Sequence, residues 1–322
     1  MEAHGSGAME EAVLSVLAGT TVEAAAEKVR IPPAHLADAV KLYREAGRAA
    51  LEARFSSSGW HQIHIEFVDY PTAERAFQAY VLPSLHGDGP VGPWWFVRKY
   101  PCWRLRVRPR QDASVADAAK HLTGALNDAV SWGVVRRWWP SLYEQETAAF
   151  GGPEGMRIAH GLFHTDSVGV CEYLSHKKAQ TPGLPDGKTA SFLVVSVLLR
   201  AAGLEWSEQG DVWARVEASR PLPGDIPTDR ITAMAEPLRR ILAVDAAPVL
   251  QSGGALATLD SWATGMQNAG RALGEAAQQN RLSLGIRRVL ARHVLFHWNR
   301  MGFTTDQQAV WARAAREAIL GD

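Results

Sequence analysis

Between positions 60 and 143, apolar and polar residues exchange places every second residue in four short runs. In WHQIHIEFV (60–68), Ile63, Ile65 and Phe67 share one face and Gln62, His64 and Glu66 the other, because side chains of an extended chain alternate. WWFVRKY (94–100) and CWRLRVR (102–108) repeat the pattern, separated at Tyr100–Pro101, where proline cannot donate to a ladder. VVRRWWPSLY (134–143) is the fourth run. Helical spacing fills the gaps. PTAERAFQAYVLPSL (71–85) starts at a proline and sets Ala73, Phe77, Tyr80 and Val81 on one stripe. DASVADAAKHLTGALNDAVSWG (112–133) stops at a glycine. The order β-α-β-β-α-β is that of the ferredoxin-like split βαβ unit, whose first and third strands are central neighbours. His64 and Glu66 are therefore expected beside Arg104 and Arg106 on one face of an antiparallel sheet, with both helices on the other.

After Tyr143 the pattern changes to a helical period over 153–180, 188–203, 227–243, 257–279, 283–301 and 305–320, with one strand-like run at DVWARVEA (211–218). TPGLPDG (181–187), RPLPGDIP (220–227) and QSGG (251–254) punctuate these segments. A polar sheet face cannot stay bare beside such a lobe, so the lobe is expected to lie over the arginine face and leave a cleft. Ahead of the sheet, residues 1–7 read as a disordered start. Residues 8–53 read as three short helices, with Thr20 or Thr21 capping the second and Pro32–Pro33 separating it from the third. SSSG (56–59) reads as a hinge. The expected class is α+β: a three-helix unit (1–58), then one domain (59–322) with a ferredoxin-like part (59–142) and a helical part (143–322). The three helices resemble a helix-turn-helix in outline. The candidate recognition helix carries His35, Asp38, Lys41 and Arg44, a mixed-sign face, and phosphate contacts need a basic one, so no direct DNA binding is expected.

Composition narrows this reading. Thirty-four basic and 34 acidic residues cancel, giving no support for a general polyanion binder. Two cysteines cannot make a disulfide framework, so a reducing cytoplasm is the default. No signal peptide opens the chain. The longest apolar run, FLVVSVLL (192–199), is too short to span a bilayer and reads as a buried helix.

Arg104, Arg106 and Arg108 alternate with Trp103, Leu105 and Val107, so three guanidinium forks follow one another at roughly 6.6–6.8 Å along one face. Such a face is either a solvated basic strand or the wall of an anion site. Two histidine pairs at i, i+4 (His160 with His164, His293 with His297) raise zinc, but neither has a third ligand nearby in sequence and the second lacks the glutamate of H-E-x-x-H. No metal and no cofactor is expected. His293 and His297 fall on an apolar stripe, as core histidines or as a general base. No nucleophile elbow, phosphate loop or dinucleotide fingerprint appears. The residues alone indicate an arginine-lined cleft with a nearby imidazole, for an anionic or anion-releasing substrate.

WHQIHIEF, WWFVRKYPCWRLRVR, WWPSLYEQETAAFGG, MRIAHGLFHTDS and HVLFHWNRMGF, in this order, resemble the thiopeptide-type bacteriocin biosynthesis family over residues 58–318. That family comprises the elimination domain of lantibiotic dehydratases, its split forms and the thiopeptide pyridine synthases. The resemblance implies a cytoplasmic enzyme of antibiotic biosynthesis acting on a ribosomal precursor peptide with a leader. The first expected reaction is a lyase step, expelling glutamate from glutamylated Ser or Thr to leave dehydroalanine or dehydrobutyrine. A separate glutamyl-tRNA-dependent subunit would supply the ester. The alternatives are an aza-[4+2] cycloaddition joining two dehydroalanines, with loss of water and leader, and a non-catalytic peptide-binding partner of a dehydratase. A homodimer is left open.

Matched motif by motif, the resemblance assigns Arg104 and Arg106 to the departing carboxylate, and His297, with His293 one turn earlier, to the Cα proton. His64, Glu66, Arg98, Arg108, Arg136, Asn299 and Arg300 are expected around the substrate. The family often carries arginine before a Y-G-G motif. Here AAFGG places Ala149 there, so Arg98, Arg108 or Arg136 would have to substitute in an elimination.

Overall fold

The computed structural model describes residues 3–55, 59–224, 228–245, 250 and 256–321. Most of the expected SSSG hinge, QSGG (251–254) and the end of RPLPGDIP lie outside them. The chain divides after Gly59 into two compact units.

The first unit holds α1 (Ala3–Leu17), α2 (Val22–Val29) and α3 (Pro33–Phe55). Helix α1 starts within the stretch expected to be disordered, since Ala3, Ala8 and Met9 carry helical propensity across Gly5 and Gly7. The Thr21 side chain caps α2 by accepting from the Ala24 N–H. Ala12, Val13, Ala25, Ala26, Leu36 and Val40 form this unit's own core.

The second unit opens with β1 (His61–Phe67), α4 (Ala73–Ala76), a π-type turn (Phe77–Val81) and α5 (Leu82–Leu85). Then come β2 (Val91–Lys99), β3 (Cys102–Pro109), α6 (Val115–Ser131) and β4 (Val135–Ser141). The wide turn interrupts the single helix expected over 71–85. Among the described residues there is one sheet of four antiparallel strands, ordered β2-β3-β1-β4. Ile63, Ile65, Phe96, Trp103, Leu105 and Val107 pack against Phe77, Val81, Leu122 and Leu126 of the helices, as the alternation requires. Burying each such side chain stabilises the fold by about 1.5–3 kcal/mol.

The remainder is helical: α7 (Gly152–Lys178), α8 (Gly187–Ala201), α9 (Trp206–Ala218), α10 (Thr228–Ala243), α11 (Asp260–Gln278), α12 (Ile286–Met301) and α13 (Thr305–Leu320). The run DVWARVEA belongs to α9 instead of a strand. Its buried Val212, Trp213 and Val216 fit a helical spacing, and a Glu205–Glu208 capping box starts the helix. FLVVSVLL is buried throughout in α8. No helix among the described residues is long and apolar enough to cross a membrane.

Helix α7 closes the free edge of β2. The Phe96 N–H donates to Ser167 Oγ at 3.2 Å, and His164 Nδ1 lies 2.8 Å from the Trp94 carbonyl. Helices α7 and α12 then cover the other sheet face, where Trp95 and Val97 meet Phe150, Met156 and Phe163. The Asp166 carboxylate fastens the lobe internally. It accepts from Trp262 Nε1 of α11 (2.9 Å) and Arg300 Nη1 of α12 (2.7 Å), and lies 2.8 Å from His297 Nδ1.

Candidate functional site

On the arginine face the register pairs His64 with Arg104 and Gln62 with Arg106. Glu66 takes no part in this grouping. It sits toward β4, 2.7 Å from Arg137 and 3.4 Å from Arg136, because it pairs with Arg137 in the ladder. A cavity of about 350 Å³ lies over Arg104, Arg106, Gln62 and Trp95. Residues 142–146 after β4, Phe150, Met156 and Phe163, and Phe296 of α12 complete its wall.

Arg106 is 6% exposed. Its Nε donates to Gln62 Oε1 at 2.6 Å, and Gln62 in turn donates to Ser141 Oγ and the Leu142 carbonyl. The guanidinium carbon lies 4.2 Å from the Trp95 ring centre and 5.3 Å from that of Tyr143. Desolvated cation–π contacts of this kind contribute about 2 kcal/mol. Burial pushes the Arg106 guanidinium down to about 9, so it stays cationic at neutral pH. Arg104 is half-buried at the same wall and makes no ion pair among the described residues.

The Tyr143 hydroxyl lies 2.9 Å from His160 Nε2. Burial, then Arg108 and Arg106, push His160 down to about 4, so its ring is neutral at neutral pH. Burial pushes the Tyr143 phenol well above its usual value, against the pull of Arg106. Burial, then Arg104 and Arg106, also lower His64, which leans on Trp139 beside the cavity. The result is a wall carrying two cations and a phenol that is hydrogen-bonded to an imidazole, backed by aromatic rings. It can hold an anionic group and move a proton next to it.

The other expected site residues lie elsewhere. His297 is 2% exposed and occupied at both nitrogens, Nδ1 by Asp166 and Nε2 by Ser191 Oγ at 2.8 Å. Burial alone would raise the Asp166 carboxyl. His297, then Arg300 and Trp262, hold it well below the usual carboxylate range instead. His293 is enclosed by Phe150 and Phe163 with neither ring nitrogen bonded, and burial, then Arg300, push it down to about 3. Arg300 is buried on Asp166. Asn299 accepts from Gln308 at 3.1 Å. Arg98 points to the opposite sheet face, 2.8 Å from Glu74. Arg136 bonds the Val68 carbonyl, and Arg108 is exposed. The expected grouping thus reduces to Arg104, Arg106 and His64.

Sequence reasoning did not place Tyr143, His160 and Gln62 beside the arginines. His160 stood out only as half of an i, i+4 pair, and the pair diverges: His160 turns to Tyr143, His164 to β2. No three His, Cys, Asp or Glu side chains among the described residues converge as a metal site.

A family model described as "Lantibiotic biosynthesis dehydratase C-term" matches residues 60–319, and one described as a helix-turn-helix domain matches residues 10–59. No curated protein matches the chain. The tRNA-dependent lantibiotic dehydratase MibB from Microbispora sp. 107891 is similar in structure at 17% identity and a TM-score of 0.59. The match covers 82% of this chain and 28% of MibB, so the chain spans less than a third of that protein. The pyridine synthase TbtD from thiomuracin biosynthesis matches at 14% identity and a TM-score of 0.57, over 81% of this chain and 97% of TbtD. TsrL matches at 15% identity and a TM-score of 0.53, over 80% and 93% respectively. At these identities the likeness to the three structures is one of fold.

Proposed function

The chain belongs to the lantibiotic biosynthesis dehydratase C-terminal family, and from this premise we propose that it eliminates glutamate from glutamylated Ser or Thr of a ribosomal peptide. The observation that carries this reading is the Arg104–Arg106 pair in the wall of a cavity that Tyr143 also lines, its hydroxyl 2.9 Å from His160 Nε2. The two forks suit the free carboxylate of the glutamyl group and the carboxylate that departs.

Tyr143 takes the Cα proton as it passes its own hydroxyl proton to His160 Nε2. The C–H electron pair becomes the Cα–Cβ double bond, the Cβ–O bond breaks, and glutamate leaves with that bond's electrons. The arginines stabilise the charge that develops on the leaving oxygen. Besides burial, Arg108 and Arg106 hold His160 down. A bound carboxylate offsets those charges, so His160 gains basicity when substrate is in place. The precursor would carry a leader, and a separate glutamyl-tRNA-dependent subunit would make the ester.

Ala149, standing where the family often has arginine, favours a second reading in which the same cavity joins two dehydroalanines with loss of water and leader. Mass spectrometry separates the two. Glutamylated peptide should lose glutamate and leave a dehydro residue, while already dehydrated peptide should pass unchanged. Cyclisation of the dehydrated peptide with leader release would replace elimination by the second reading.

A further inference from the structure

On the far side of residues 146–150 lies a second concavity, of about 380 Å³, outside the site described above. Arg288, Ala291, Arg292 and Leu295 line it, the i, i+3, i+4 and i+7 positions of one face of α12. The last turn of α9 supplies Arg215 and Ala218, and Ala149 completes the floor. Arg215 lies 3.1 Å from Asp211, which also meets Arg287 at 3.3 Å. Arg292 is paired with Glu146. Among the described residues Arg288 has neither an ion pair nor a side-chain hydrogen bond, and Arg220 stands near enough to Arg292 to feel its charge. Three guanidinium groups therefore line the groove, two of them paired with Asp211 and Glu146 and that of Arg288 without a carboxylate among the described residues. The Glu146–Arg292 pair lies between this groove and the cavity, since Glu146 and Phe296 line one while Arg292 and Leu295 line the other.

We propose that this groove binds an acidic stretch of the same peptide whose modified residue enters the arginine cavity. The proposal rests on the peptide-substrate reading above. A floor of Ala149, Ala218 and Ala291 lets a peptide backbone approach closely, and the arginine rim then meets carboxylates along it. The two hollows are neighbours, Ala149 lining one and Phe150 the other, so one extended chain can reach both.

The test is a fluorescence-anisotropy titration with a short fluorescein-labelled peptide of alternating glutamate and alanine, at two salt concentrations. The full-length protein should bind it, more weakly at high salt, and should not bind the glutamine counterpart. The double variant Arg215→Glu with Arg288→Glu alters exposed side chains, and an unchanged melting curve checks its fold. It should bind the glutamate peptide tenfold or more weakly and should gain affinity for a lysine counterpart. Equal affinity of variant and parent, no binding by the parent, or displacement by an oligonucleotide of equal charge would each overturn the proposal. The readout involves no turnover. Groove binding without glutamate elimination would leave the groove standing and remove the reaction.

Discussion

Arg106 shows how a single residue can be both buried and available. Gln62 occupies its Nε, Trp95 its face, and Nη1 donates to the Arg104 carbonyl at 3.4 Å, while the side chain still lines the cavity. Lysine in its place would keep the charge and lose the fork. Arg106→Lys is expected to lower kcat/KM for glutamate release at least tenfold, or ~1.4 kcal/mol, with the melting temperature little changed; unaltered turnover would remove Arg106 from the mechanism. His160 is pushed down to about 4, well below the usual histidine value. The acid limb of kcat/KM should therefore fall near pH 4 instead of pH 6.5, and Tyr143→Phe should lower kcat far more than it raises KM. Stability follows the same sign. With His160 at about 4 and His293 at about 3 in the folded state, the unfolded chain binds protons first as pH falls below ~6.5. The stabilisation is fully present above that value and is lost toward pH 3–4. Melting temperatures measured from pH 7 to 4 should fall, and His293→Leu should flatten the slope.

At the scale of elements, the lobe depends on close helix approach and on one buried polar junction. A Cβ on Gly169 of α7 would lie 2.2 Å from Trp262 Cγ, closer than atoms can come. Gly169→Ala should push α11 away and lower the melting temperature by several degrees, by disturbing the indole that donates to Asp166. The AAFGG turn has a backbone need of its own: Gly151 and Gly152 have φ of 84° and 94°, which lets Phe150 face the cavity as α7 begins. Asp166→Asn would leave the Arg300 charge buried without a counter-charge, and such uncompensated charges cost about 3–5 kcal/mol. Chemical denaturation should show a loss of that size. A loss under 1 kcal/mol would mean that His297 and Ser191 alone hold the helices together.

For the whole molecule, Met1–Gly59 and Trp60–Asp322 each have their own core. A chain of residues 59–322 is expected to keep its cooperative melting transition and its glutamate-releasing turnover, and a collapse of that transition would show that the first unit completes the fold.

Strand alternation is local, so CWRLRVR by itself determined that Arg104 and Arg106 share a face, and the run order determined the ferredoxin-like arrangement of the sheet. Helical period likewise determined that His293 and His297 lie on a buried stripe. Local pattern has no access to partners far along the chain. His297 meets Asp166, 131 positions away, and Tyr143 meets His160 across a turn and the start of a helix. Only the packing of α7 and α12 onto β2 decided which imidazole would be sealed in the core and which would face the arginines. Desolvation and hydrogen-bond partners are properties of the assembled fold, and they set which groups stay charged, stay neutral or move a proton.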